Sequence, residues 1–264
     1  MYETKYHKAS SVDEAVSLMG AADEGKLLSG GQTLLPTMKA HLAAPSDLVD
    51  VSGIADMNGV GVRGNVISIG AATTHAEVAG NAALQNACAA VTDLAANIGD
   101  PAVRHMGTIG GSIANNDPAA DYPAALLALG ATIKTNARDI AAEDFFVGLF
   151  ETALEDDEVI VSIGFDAPEK ACYAKFPNPA SRYAMAGVFV AKTAGGARVA
   201  VTGAGDDGVY RQSDMEAALD GNWSAGALAG VSVSADGMLS DMHGDATYRA
   251  NLVKVMACRA VAGC

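Results

Sequence analysis

The sequence predicts an α+β fold in two parts, divided near residue 168, and three observations predict it. Short β-rich runs alternate with capped helical periods from the N-terminus to about residue 157. From about Glu158 the character changes to VIVSIGF and then YAKFPNPASRYAMAGVFVAKTAGGARVAVTGAG, where alternating β-branched residues and glycine turns spell an antiparallel sheet. The last stretch, DATYRANLVKVMACRAVAG, puts Leu252, Val253, Met256 and Ala260 on one helical face. A chain of 264 residues, half of them hydrophobic, is long enough for two domains.

In order, Ser11 and Glu14 form a capping box, after which Val12, Ala15, Val16 and Met19 recur at helical spacing. KLLSG at 26–30 reads as a buried strand entering the Gly30-Gly31 turn, and TLLPTMKAHL as a helix that tolerates Pro36 in its first turn. DLVDVSGI is the next strand, completing strand, glycine loop, helix, strand. VISIGAATTHAEV repeats the logic, with Thr74 and Glu77 as a second capping box. Leu84, Cys88, Val91, Leu94, Ala95 and Ile98 then share one helix face that Gly99 and Pro101 terminate. Asp117 before Pro118 reads as an N-cap with proline at the first helical position, opening a helix that runs through Pro123 to Gly130. ATIKTN follows as a strand.

Composition excludes whole classes of function. The 31 Asp and Glu against 17 Lys and Arg give a net charge of -14, which repels nucleic acid and anionic membrane surfaces. The N-terminal residues lack an apolar h-region and no apolar run reaches bilayer length, so the reading is a cytoplasmic chain without a transmembrane segment. Cys88, Cys172, Cys258 and Cys264 are too scattered for a CxxC pair, and the five histidines include no HxxxH or HExxH. The expectation is no metal and no iron–sulfur cluster in this chain.

Two loops break the Ala- and Val-rich rhythm: LLSGGQTLLP at 27–36 and HMGTIGGSIANNDPAADYP at 105–123. Paired glycines between a strand and a helix can turn successive N–H groups toward one anion, because no Cβ blocks the approach. Each N–H to a charged phosphate oxygen contributes ~1.5–3 kcal/mol, so four give about 6–12 kcal/mol before desolvation. Two such loops suit a dinucleotide, with Asp121 accepting from a ribityl or ribose hydroxyl. Neither loop is GxGxxG and no GxxxxGK[ST] occurs, so the residues alone leave two readings open, an anion cradle or two tight turns.

SGGQTLLPTMK at 29–39, IGAATTHAEVA at 69–79, RHMGTIGGSIANNDPAADYPAALLALGA at 104–131 and YRANLVKVMACRA at 248–260 together resemble the FAD-binding medium subunit of molybdenum hydroxylases, the group that includes aerobic carbon monoxide dehydrogenase and bacterial xanthine dehydrogenase relatives. The resemblance runs nearly end to end, in order and at the right spacing. It implies a vanillyl-alcohol-oxidase-type FAD-binding domain over 1–167, with subdomains of about 1–57 and 58–167, and a C-terminal sheet-and-helix domain over 168–264. It implies a first pyrophosphate loop of Leu28, Ser29, Gly30, Gly31, Gln32 and Thr33, and a second of Thr108, Ile109, Gly110, Gly111 and Ser112. Asp121 matches the position that holds FAD hydroxyls, Ile98 and Ile160 apolar positions near the isoalloxazine, and Lys175 a flavin-contacting position in some relatives. Ser112 departs from the Asn common after TIGG, which puts that side-chain contact in doubt.

The same resemblance implies an electron-transfer subunit. FAD, bound non-covalently, receives electrons from [2Fe–2S] clusters in a small subunit, the molybdenum cofactor sits in a large subunit, and the whole is a dimer of heterotrimers. No catalytic residue is required in this chain. Two rivals stand beside it: a self-sufficient FAD-dependent oxidase or dehydrogenase, and a non-enzymatic dinucleotide-binding module whose flavin site has decayed. Four residues have plain structural readings. His75 is a first-turn helix residue, Asp117 a helix cap, Lys175 a solvated charge, and Tyr183 either a flavin shield or sheet filling.

Overall fold

A computed structural model describes residues 2–264. The first fifty residues build a three-stranded parallel sheet, with Asp47–Asp50 in the middle, flanked by Lys5–Lys8 and Gly25–Leu28. Helix Val12–Ala21 makes the crossover. Ser11 caps it by accepting from the Glu14 N–H at 3.1 Å, while the Glu14 carboxylate turns back to the Ser10 N–H at 2.8 Å rather than to Ser11. The helix after the first glycine loop is short, Leu34–Lys39, with Pro36 in its first turn as the sequence predicts.

A five-stranded antiparallel sheet follows, in the order Val60–Arg63, Val66–Gly70, Ile160–Asp166, Thr132–Thr135, Asp139–Ala141. Its central strand, Ile160–Asp166, is the VIVSIGF run where the sequence changes character. Helices Ala82–Ala96, Ile109–Asn115 and Tyr122–Leu129 contribute buried side chains to the core beneath it, among them Leu84, Leu94, Ile109, Ile113 and Tyr122. The apolar stripe read from Leu84 to Ala95 is buried, although the helix kinks at Cys88.

One helix start differs from expectation. Asp117 caps no helix; its Oδ1 accepts the Ala119 N–H at 2.8 Å in a turn, and the helix begins only at Tyr122 with Pro123 in its first turn. A proline is tolerated in the first turn because its missing N–H would be unpaired there anyway, so either proline could have marked the start. Burial of all eight residues Tyr122–Leu129 favours the second.

Strands Lys170–Pro177, Ala184–Thr193, Gly196–Thr202 and Tyr210–Arg211 form a four-stranded antiparallel sheet. Helices Ser213–Gly221 and Ala246–Gly263 supply Met215, Leu219, Leu252, Val253 and Met256 to a core shared with Val188, Val190, Val199 and Val201. The alternate residues Phe189, Ala191 and Ala200 belong to the other core, so this sheet is buried on both faces and joins the two parts of the molecule. Among the described residues no helix is long and apolar enough to cross a membrane, and no three His, Cys, Asp or Glu side chains gather as a metal site requires.

Candidate functional site

The two glycine loops touch. A Cβ on Gly30 would lie 2.0 Å from the Met106 carbonyl oxygen, so only glycine lets the first loop pass this close to the second. Ser29 Oγ and Thr108 Oγ1 are 3.0 Å apart and join the loops side by side. Gly31 takes φ +68°, the left-handed region that favours glycine. Among the described residues, the N–H groups of Gly30, Gly31, Gln32 and Thr33 donate to nothing. Successive free amides at a positive-φ turn are the donor set that an anion such as a pyrophosphate needs.

The second loop is built differently, which corrects the symmetric expectation. Thr108 caps helix Ile109–Asn115 by accepting the Gly111 N–H at 3.1 Å. The Ile109 N–H goes to Thr73 O at 3.1 Å, Gly110 to Ala71 O at 2.8 Å, and Ser112 to Thr108 O at 3.0 Å. These four amides are already used, so this loop offers its hydroxyls, the Thr108 N–H, which donates to nothing among the described residues, and its bare Gly111 surface. Gly110 is glycine for packing, since a Cβ there would fall 2.6 Å from Ala71 O. Gly111 is exposed, and its Cβ would meet only Thr108 Oγ1 at 3.0 Å.

Both loops open on one cleft of about 580 Å³, within the usual range for a small-molecule site of ~300–1,000 Å³. Of the residues singled out from the sequence, Ser29, Gly30, Gly31, Gln32, Thr33, Ile98, Thr108, Gly110, Gly111, Ser112, Asp121, Ile160 and Lys175 line it. Leu28 and Ile109 do not. Leu28 ends the strand that delivers the first loop, and the Ile109 side chain is fully buried in the core. Tyr183, half exposed, stands at the cleft wall rather than filling the sheet.

Asp121 and Lys175 meet inside the cleft. Lys175 Nζ is 2.9 Å from Asp121 Oδ2 and also donates to Asn97 O at 3.2 Å, so Lys175 is a buried ion-pair partner and not a solvated charge. Tyr173 donates its hydroxyl to Asp121 Oδ1. Burial pushes the Asp121 carboxyl above its ordinary range, against the pull of the Lys175 ammonium and the Tyr173 hydroxyl. Each Asp121 oxygen has one internal donor, and a carboxylate oxygen has a lone pair to spare for a ligand hydroxyl.

Sequence reasoning missed Tyr173, Arg104, Arg182 and Glu158. Glu158 lines the cleft while its carboxylate takes Arg138 Nε at 2.8 Å, Thr135 Oγ1 at 2.8 Å and the Glu155 N–H at 3.0 Å, and the Arg138 contact holds it at about 2. No local motif announces these residues: Tyr173, Arg182 and Glu158 take partners 52, 83 and 20 positions away, and the Arg104 contacts to Ile98 and Gly99 follow no cap or spacing rule. His75 sits in the first turn of helix His75–Gly80, behind the Thr74–Glu77 capping box predicted from the sequence. Its ring is buried against Tyr122 with centroids 5.4 Å apart, its Nδ1 has no partner among the described residues, and burial with the nearby Arg104 charge holds the imidazole at about 4. At neutral pH it is uncharged.

Residues 2–166 match the family model described as the FAD binding domain in molybdopterin dehydrogenase. The chain belongs to this FAD-binding family. Over 97% of its length it is 31% identical to the medium chain of carbon monoxide dehydrogenase from Hydrogenophaga pseudoflava, spanning 95% of that protein. It is 28% identical to the nicotine 6-hydroxylase medium subunit of Paenarthrobacter nicotinovorans, with 97% of this chain and 95% of that one covered. The solved structure of cyanide-inactivated Cu,Mo-CO dehydrogenase superposes with a TM-score of 0.89 at 30% identity, covering 99% of this chain and 98% of that one. The mixed helix-and-sheet architecture is therefore that of a carbon monoxide dehydrogenase medium chain, and the cofactor of the family is FAD. The free amide run of the first loop, facing the cleft, fits the pyrophosphate of that cofactor.

Proposed function

We propose that this chain is the electron-transfer flavoprotein subunit of a molybdenum hydroxylase complex. The single observation that carries the reading is the run of free amides from Gly30 to Thr33, held against the second glycine loop at the floor of the cleft. In this reading Ser29, Gly30, Gly31, Gln32 and Thr33 seat the FAD pyrophosphate through backbone N–H groups. Thr108, Gly111 and Ser112 close the other side with hydroxyls and an open glycine surface. Leu28 and Ile109 act from behind, as strand and core anchors of the two loops. Asp121 receives a hydroxyl of the cofactor while Lys175 neutralises it, and Ile98, Ile160 and Tyr183 border the ring system. Neither pyrophosphate stretch, 28–33 or 108–112, contains a Cys or His that would form a covalent link, so the cofactor is held non-covalently.

FAD takes up electrons singly and releases them in pairs, which suits a junction between one-electron clusters and a two-electron acceptor. The chain itself binds, orients and shields; it is asked for no acid or base. The division into a vanillyl-alcohol-oxidase-type domain over 1–167, in subdomains of about 1–57 and 58–167, and a C-terminal domain over 168–264 belongs to the same proposal. So do the partners: a large subunit with the molybdenum cofactor and a small subunit with [2Fe–2S] clusters, as a dimer of heterotrimers. Val147, Leu149 and Phe150 support a partner surface, since all are exposed on one hairpin, Phe146–Gly148 with Glu151–Thr152, and Phe150 is held at φ +55°.

The test is anaerobic bleaching of the flavin absorption on substrate addition, with and without the two partner subunits. Bleaching only in the reconstituted complex is expected. Rapid bleaching of the pure chain would instead identify a self-sufficient oxidoreductase, and a colourless chain that takes up no FAD would sink the reading altogether.

A further inference from the structure

The turn Asn97-Ile98-Gly99, of which Ile98 and Gly99 line the cleft, has three successive carbonyls, and three cations occupy them. Arg104 Nη1 donates to Ile98 O at 3.0 Å and Gly99 O at 3.1 Å, Lys175 Nζ to Asn97 O at 3.2 Å, and Arg182 Nη1 to Gly99 O at 3.3 Å. This turn ends helix Ala82–Ala96, which has no basic residue in its own last turn, so the partial negative charge of the helix end is met from outside.

The three cations are not equivalent. Arg104 lies on the next helix, Pro101–Met106, and ties the turn only to its own neighbourhood. Lys175 reaches the turn from strand Lys170–Pro177, but it is bound to Asp121 in a buried pair, and breaking such a pair is strongly unfavourable. Arg182 also comes from beyond residue 168, yet its contact is a single exposed hydrogen bond, which is cheap to break. Its backbone sits at φ +62°, a region a side chain adopts only under constraint.

The loop that carries Arg182 is a self-contained unit. Asn178 is buried; its Oδ1 accepts the Ala180 and Ser181 N–H groups at 2.9 and 3.2 Å, and its own N–H donates to Tyr183 O at 2.7 Å. Ser181, Arg182 and Tyr183 all line the cleft. They are thus placed to move together.

We propose that residues 178–183 form a latch over the FAD site, with Arg182 as its positioning residue. The guanidinium releases the Gly99 carbonyl to admit FAD, and restores the contact to hold Tyr183 and the Ile98 turn over the bound cofactor. The proposal rests on the FAD-site reading above.

The experiment compares FAD release from the wild-type chain with release from Arg182→Ala, Arg182→Gln and Arg182→Lys, followed by recovery of flavin fluorescence after dilution. Loss of one exposed charged hydrogen bond predicts release about twofold to fivefold faster in the Ala and Gln variants. Their melting temperatures should stay near wild type, Lys should restore part of the retention, and the flavin absorption band should lose vibrational structure as the cover loosens. Lys192→Ala, which removes an exposed pair with Glu169 outside the cleft lining, should release FAD at the wild-type rate. Release from Arg182→Ala and Arg182→Gln at the wild-type rate overturns the latch while leaving the FAD site standing. A wild-type chain that retains no FAD overturns the site itself.

Discussion

Gly30, Gly31, Gly110 and Gly111 answer four different local demands. Gly30 is bare so that the loops can cross, Gly31 reaches positive φ, Gly110 packs on Ala71, and Gly111 leaves the cleft floor open. Substitutions should separate these roles. Gly111→Val meets only the Thr108 hydroxyl, so it should melt within a few degrees of wild type while binding FAD at least about tenfold more weakly. Gly110→Val drives a Cβ into the Ala71 backbone and should destabilise the fold by ~1–3 kcal/mol or more. Thermal melts with flavin fluorescence titration decide this, and a Gly111→Val protein of undiminished FAD affinity would falsify the placement of the cofactor on that surface.

Between elements, the decisive contact is the ion pair that ties the start of helix Tyr122–Leu129 to strand Lys170–Pro177. Asp121 and Lys175 side chains are only 5% and 7% exposed, so neither charge has water to fall back on. Lys175→Met should therefore cost about 3–5 kcal/mol, because Asp121 is left buried and unpaired. The double variant Asp121→Asn with Lys175→Met should recover most of that stability without recovering FAD affinity. Denaturant unfolding of the single and double variants measures it; equal stability of the two would mean that the pair is not what holds these elements together. The glycine loops depend on neighbours in the same way, since the backbone of Ala71 and Thr73 takes the amides that shape the second loop.

For the whole molecule, acid stability should fall in two stages. His75 is held at about 4 in the fold against an ordinary 6.5, so between those values the unfolded chain binds a proton that the folded one refuses. Stability then drops as pH falls through that window, by at most ~1.4 kcal/mol per pH unit. Glu158 works at lower pH: its folded value of about 2 lies below the ordinary 4.5, so its stabilisation is complete above 4.5 and is lost as pH falls toward 2. His75→Phe should flatten the first stage and leave the second intact. Urea midpoints at pH 7, 5.5 and 4.5 test this, and an unchanged slope in the variant would remove His75 as the cause.

Much of this was legible from the sequence, because its signals are local. The Thr74–Glu77 box, the stripe from Leu84 to Ala95, the antiparallel run after Glu158 and both glycine loops are demands made over a few residues, by caps, periodicity and missing side chains. The loops' meeting was not legible: Ser29 and Thr108 are 79 positions apart, and the amides of the second loop looked as free as those of the first. Nor was the fate of Asp121, whose Lys175 partner lies 54 positions away, or the reach of Arg182 across 83 positions to Gly99. Hydrogen bonds to distant partners carry no spacing rule, and each is settled only when packing brings two surfaces together. The sequence thus determined which residues could hold a dinucleotide; the tertiary structure decided which of their amides and charges remain free to do it.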